Sequence, residues 1–131
     1  MAEGLSTTLV SGWLNTLRSG GASYTNTATW IQLHTANPGA AGTTATSAGS
    51  TTRLQATFSA SSSGSALALS GSVGPWTNGG TSETLTDISV WTASSGGTFL
   101  FSVALSASKA WSSGDTFTLN TLGVSLTPQA S

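Results

Sequence analysis

The residues able to do chemistry are few in this chain of 131 residues. There is one histidine, His34, and there are four carboxylates, Glu3, Glu83, Asp87 and Asp115. There is no cysteine. A hydrolytic triad can be drawn on paper from His34, Asp87 or Asp115, and any of many serines. No nucleophile-elbow motif surrounds a serine, however, and serine is abundant throughout. His34 is therefore expected to be a strand histidine whose ring nitrogens bond nearby backbone or hydroxyl groups. Glu83 and Asp87 lie four residues apart near a strand start, a weak match to a glycosidase pair. A turn cap and a solvated side chain account for them better. Asp115 follows Gly114 and is expected to accept backbone N–H bonds in its turn. The spacing of His and acids suits no metal, and no glycine-rich phosphate loop joins a strand to a helix, so no cofactor, metal or catalytic residue is expected.

The aromatic residues are a richer set. Trp13, Trp30, Trp76, Trp91 and Trp111 are five tryptophans in a small chain. At alternating strand positions, core burial is the first expectation. A subunit interface and a sugar-stacking platform stay open for the same five residues.

These side chains must be positioned by elements legible from patterning. Trp30-Ile31-Gln32-Leu33-His34-Thr35 alternates, placing Trp30, Gln32 and His34 on one face and Ile31, Leu33 and Thr35 on the other. Asn37-Pro38-Gly39 ends it as a structural turn: Pro38 presets φ and Gly39 supplies a positive φ. Before it, Leu5, Leu9, Trp13 and Leu17 recur at helical spacing, predicting one helix over 5–18, with Arg18 in its last turn and Gly20-Gly21 as its stop. The stripe predicts packing on a sheet; docking on a partner or plugging one end of the fold is the alternative.

After Gly39, residues 40–52 are Gly, Ala, Ser and Thr without periodicity and read as a flexible loop. Short strands are then expected over 53–58, 66–70, 84–91, 98–105, 115–119 and 122–126, with Leu67 and Leu69 pointing inward. Residues 59–65 read as a turn region, 73–76 as an edge or kinked strand because of Gly74-Pro75, and Pro128 as the end of the last strand. Ser94-Ser95-Gly96-Gly97 closes the clearest hairpin. About eight short strands with regular turns predict a mainly β, single-domain antiparallel β-sandwich (jelly-roll-like) over 1–131, with one short N-terminal α-helix.

Composition excludes several classes. Only 5% of residues are charged and the net charge is −1, so there is no electrostatic footprint for nucleic acid. No apolar run is long enough for a membrane span, and Met1-Ala2-Glu3-Gly4 lacks the basic start of a signal peptide. Missing cysteines favour folding in a reducing cytoplasm. Near-zero net charge gives little protection against self-association, so a chain packed against neighbours is expected.

Leu33-His34-Thr35-Ala36-Asn37-Pro38-Gly39 resembles the Leu-His-Thr-Gly/Ala-Asp-Pro-Gly signature of small structural proteins of tailed bacteriophages, the tail-fibre-like proteins and capsid decoration proteins. Further similar stretches follow in order: Arg53 to Phe58, Trp91 to Phe99, Ser113 to Leu119, and the closing Leu-Gly-Val strand. Two departures stand out. Asn37 replaces the usual Asp, and the acidic residue often found after Pro-Gly is missing, which weakens any metal or salt-bridge role for the loop. The resemblance implies a virion structural protein, made in the host cytoplasm and without catalysis. The first expectation is a capsid decoration (cement) protein on the head. It would self-associate, with a trimer as the guess, and bind the major capsid protein through the 40–52 loop or the helix. The alternatives are a tail-fibre or tail-tip component binding tail proteins and the host surface, and a carbohydrate-binding module.

Overall fold

The computed structural model describes residues 3–60 and 66–126. The elements are β1 (Gly4–Leu5), α1 (Thr7–Thr16), β2 (Thr29–His34), β3 (Leu54–Ala56), β4 (Ala66–Ala68), β5 (Val73–Thr77), β6 (Glu83–Trp91), β7 (Phe99–Trp111), β8 (Thr116–Leu119) and β9 (Gly123–Ser125). Of the turn region expected over 59–65, residues 61–65 lie outside the described residues, as does the stop at Pro128.

The protein is mainly β and antiparallel, with one short helix. A five-stranded sheet has the order β1-β7-β6-β2-β3, and two two-stranded ribbons, β4-β9 and β5-β8, form a sandwich-like second layer. Register puts Ile31 opposite Val90 and Leu33 opposite Ile88, while Ile88 faces Val103 and Val90 faces Phe101. This apolar row faces the ribbons, joining Val73, Trp76, Leu119 and Leu122 in one core. Strict alternation along β2 therefore leaves Trp30, Gln32 and His34 on the opposite face.

Several expectations are corrected. The helix runs over Thr7–Thr16, not 5–18, because Ser6 caps it by accepting the Leu9 N–H at 3.1 Å, and Leu5 pairs with Phe101 as a strand residue. Arg18 lies beyond the C-cap, Leu17, so it is not in the last turn. The apolar stripe is only partly covered: Leu9 is buried, Trp13 is half-buried, and Leu14 and Leu17 are 61% and 82% exposed. Leu67 is exposed and Leu69 half-buried, since β4 pairs only with β9. Lys109-Ala110-Trp111, beyond the strand expected over 98–105, continues β7. That strand re-pairs with Glu83, Thr84 and Leu85 after a register shift. The kink at Gly74-Pro75 is present: the peptide bond is cis and the β5-β8 register shifts there.

Segment 40–52, expected as a flexible loop, is instead fastened along its length. Thr35 N–H donates to the Ala45 carbonyl at 2.9 Å, Thr44 N–H to Pro38 at 2.9 Å and Ser47 N–H to Leu33 at 2.9 Å. The absence of apolar periodicity was a poor guide, because hydrogen bonds rather than buried side chains hold it.

Candidate functional site

The face of the large sheet that bears His34 carries an ordered set of polar and aromatic rows. Pairing across β2, β6 and β7 aligns Trp30, Trp91 and Phe99 in one row. Gln32, Ser89 and Ser102 form the next, and His34, Asp87 and Ala104 the third. Alternation brings these side chains to one side without any sequence motif.

His34, Ser89 and Asp87 thus meet, the combination a triad would need. His34 Nδ1 lies 2.8 Å from the Thr44 carbonyl, and Nε2 lies 2.7 Å from Ser89 Oγ. A carbonyl only accepts, so Nδ1 carries the proton, and Nε2 accepts from the Ser89 hydroxyl. Ser89 Oγ in turn accepts the Trp91 indole N–H at 2.7 Å. The chain of donors is closed: Trp91 to Ser89, Ser89 to His34, His34 to Thr44. Burial pushes the His34 imidazole below its usual 6.5, and the Thr44 bond and the Asp87 charge only partly restore it. The ring is neutral at pH 7. His34 and Ser89 have no exposed surface. Asp87 does not orient the imidazole, because Nδ1 is taken by Thr44. The arrangement is a polar network in which neither His34 nor Ser89 is exposed.

The cover over these rows is the fastened segment. Asn37-Pro38-Gly39 starts it, with Gly39 at φ 76° and its N–H donating to Asn37 Oδ1 at 2.8 Å. Pro38 and Gly39 are buried, and Asn37 is half-buried. Gly42, at φ 73°, abuts the Phe99 ring so closely that an added Cβ would sit 2.4 Å from it. Phe99 tilts onto Trp91 with ring centroids 5.4 Å apart. Arg53 closes the far end, its guanidinium 3.9 Å from the Trp91 ring centroid. It also donates to Gln32 Oε1 at 3.2 Å and to the Ala93 and Gly96 carbonyls at 2.9 and 2.7 Å.

Glu83 is the second anchor. Its carboxylate accepts from the Ser47 hydroxyl, the Gly49 N–H at 3.0 Å, the Trp111 indole at 3.1 Å and the Ala48 N–H at 3.1 Å. Burial alone would raise its pKa, but these four donors together outweigh it and hold the group below its usual value. The Gly49 carbonyl accepts the Gly79 N–H at 2.8 Å, and the buried Asn78 closes its own turn onto Gly80 and Thr81.

Glu83 and Asp87 are not brought together as an acid pair. Glu83 caps the 47–49 turn, as expected. Asp87 is buried rather than solvated, taking the Thr86 hydroxyl on Oδ2. Asp115 accepts the Ser112 N–H at 2.8 Å in its turn, also as expected. Among the described residues, no group of three or more His, Cys, Asp or Glu could hold a metal ion. Of the five tryptophans offered as interface candidates, Trp76, Trp91 and Trp111 are 2%, 6% and 2% exposed within the chain itself. They belong to the protein's own packing, because each large ring is needed to fill a small domain. Trp76 and Trp111 bond inward to the Thr52 carbonyl and to Glu83. Trp13 and Trp30 are half-buried. Sequence reasoning missed Glu3, whose carboxylate accepts the Ala104 N–H at 2.8 Å beside Asp87. No sequence signal marks that contact, which joins residues about a hundred positions apart.

A family model described as "Podophage GP4 fiber I protein gp80" matches residues 4–127. The match runs through both layers of the fold and includes every row and anchor described above. The chain belongs to this family of podophage fibre proteins, and is a virion-associated structural protein of the phage-fibre type. The comparison with curated proteins finds no match.

Proposed function

We propose that the protein is a non-catalytic structural subunit of a virion fibre, folding as a rigid β module and associating with further copies of itself and with tail proteins. The observation that carries this reading is the family match over 4–127. The geometry supports it. The His34–Ser89 pair has no exposed surface, and the fixed polar network serves to seat a loop on a sheet. The outer surface is poor in charge, so packing against neighbours desolvates few ions, whose burial is costly. The half-buried Trp13 and Trp30, with the exposed Leu14 and Leu17, are the apolar side chains we assign to subunit contacts. Capsid decoration, the first expectation from the motif, becomes the second reading, since the family is described as one of fibre proteins.

The test is the copy number in purified particles, by quantitative mass spectrometry against the major capsid protein. A fibre subunit gives a ratio of a few per cent or less. A ratio of about one moves the protein to the head as a decoration protein, and absence from particles overturns both readings. Loss of an enzymatic activity of the virion on substituting Ser89 would overturn the non-catalytic assignment.

A further inference from the structure

The N-terminal arm is attached to the sheet by little. β1 contributes two pairs, Gly4 with Ser102 and Leu5 with Phe101, and the Ser6 N–H donates to the Leu100 carbonyl at 2.7 Å. Beside these stand two acids, Glu3 and Asp87, on either side of Ala104. Glu3 accepts the Ala104 N–H at 2.8 Å, and Ala104 is paired directly with Asp87. Asp87 is 4% exposed, and its Oδ1 has no hydrogen-bond partner among the described residues. A buried carboxylate oxygen without a donor is costly. Among the described residues, the group beside it able to supply a donor is the carboxyl of Glu3, provided that it holds a proton.

We propose that Glu3 holds a proton that it donates to Asp87, and that this proton latches the N-terminal arm, β1 and α1, onto β7. With the proton present, a carboxyl–carboxylate hydrogen bond satisfies Asp87 Oδ1. Without it, two negative charges face each other at the edge of the sheet, and the arm is pushed off. Release uncovers the β7 edge at Phe101 and Ser102, a row of backbone groups able to pair with another strand.

Among the described residues, the other groups facing the pair do not supply the missing donor. On β2, His34 has both ring nitrogens committed, to Thr44 and Ser89. On β7, Val103 and Ala104 have no side-chain donor and the Ser102 hydroxyl makes no hydrogen bond to Oδ1, and the covering segment 36–52 contains no titratable residue. Arg53 is engaged with Trp91 and the 93–96 loop. In keeping with the geometry, the hydrogen bond to Asp87, followed by burial and the Asp87 charge, raises the Glu3 pKa above 4.5, against the lowering effect of the Ala104 N–H. The sign follows: a raised carboxyl pKa makes the docked arm most secure below 4.5, with that security lost as pH rises through the folded value.

The experiment is hydrogen exchange of the Ala104 and Ser6 amides in the full chain, from about pH 4 to about pH 8, corrected for intrinsic exchange. The wild type should show local opening that grows by up to about tenfold per pH unit between 4.5 and the raised Glu3 value, the limit for one proton, and levels off above it. E3Q supplies a permanent donor to Asp87 Oδ1 and should keep both amides protected across the range. E3A should open at every pH. Glu3 is exposed, so neither variant threatens the fold. Wild-type protection independent of pH, or E3Q following the wild-type profile, overturns the latch. Restoration of protection at high pH by millimolar calcium, and not by sodium at equal ionic strength, also overturns it in favour of a cation between the two acids.

Discussion

His34 Nε2 and Ser89 Oγ stand 2.7 Å apart, and the serine is the donor. The bond has the length of a nucleophile–base pair, but Thr44 occupies the ring position that an orienting carboxylate would take. Its work is to join the covering segment to the sheet through a side chain without exposed surface. His34→Ala should therefore cost about 3 kcal/mol of stability, from the cavity and from the orphaned Thr44 carbonyl and Ser89 hydroxyl. Ser89→Ala should cost about 2 kcal/mol, since it strands both the imidazole and the Trp91 indole. Denaturant titration checks both, as lower midpoints at unchanged slope.

The same histidine sets a pH dependence. Its folded pKa lies below 6.5, so the unfolded chain binds a proton more readily. Stability falls as pH drops from 6.5 through the folded value, and levels off below it. His34→Gln should flatten this segment of a plot of melting temperature against pH. An unchanged slope would mean that another group titrates there.

Glu83 governs a separate and more acid window. Its folded pKa is depressed, so its contribution is present above 4.5 and lost as pH falls through the folded value. Glu83→Gln should remove this acid loss and lower stability at pH 7, because an amide offers one acceptor oxygen to four donors. Exchange of the Ala48 and Gly49 amides in the variant, compared with the wild type, should localise the effect to the 47–49 turn.

The alternation in residues 30–35 made β2 and its two faces legible, and the register simply extended that division across β6 and β7. The turn at Asn37-Pro38-Gly39 was legible for the same reason: Pro and Gly act through local backbone preference. The covering segment was not. Its attachments are backbone carbonyls, one histidine and one glutamate far away in sequence, and a run of Gly, Ala, Ser and Thr looks the same whether fastened or free. The length of α1 was overestimated because Leu5 fits a helical stripe as well as a strand pair, and only the Ser6 cap decides between them. Trp91 and Trp111 could not be sorted from Trp13 and Trp30 by type, since which ring is covered is decided by elements distant in sequence.

Arg53 offers the sharpest separation of charge from geometry. Its guanidinium stacks on Trp91 and reaches Gln32, Ala93 and Gly96 at once, which a planar group with five donors can do and an ammonium cannot. Arg53→Lys keeps the charge and loses the fork, so it should recover only part of the loss seen in Arg53→Ala, which should be about 2 kcal/mol. The partner substitution Gly42→Ala probes the same stack from the other side. It places a Cβ 2.4 Å from Phe99 at a φ of 73°, and should cost about 2 kcal/mol through both crowding and backbone strain. If Arg53 and Gly42 clamp one Trp91–Phe99 unit, the double variant Arg53→Ala with Gly42→Ala should cost less than the two single losses added together, because a stack already opened from one side has less to lose from the other. Full additivity in denaturant titration would instead make them independent supports of the cover.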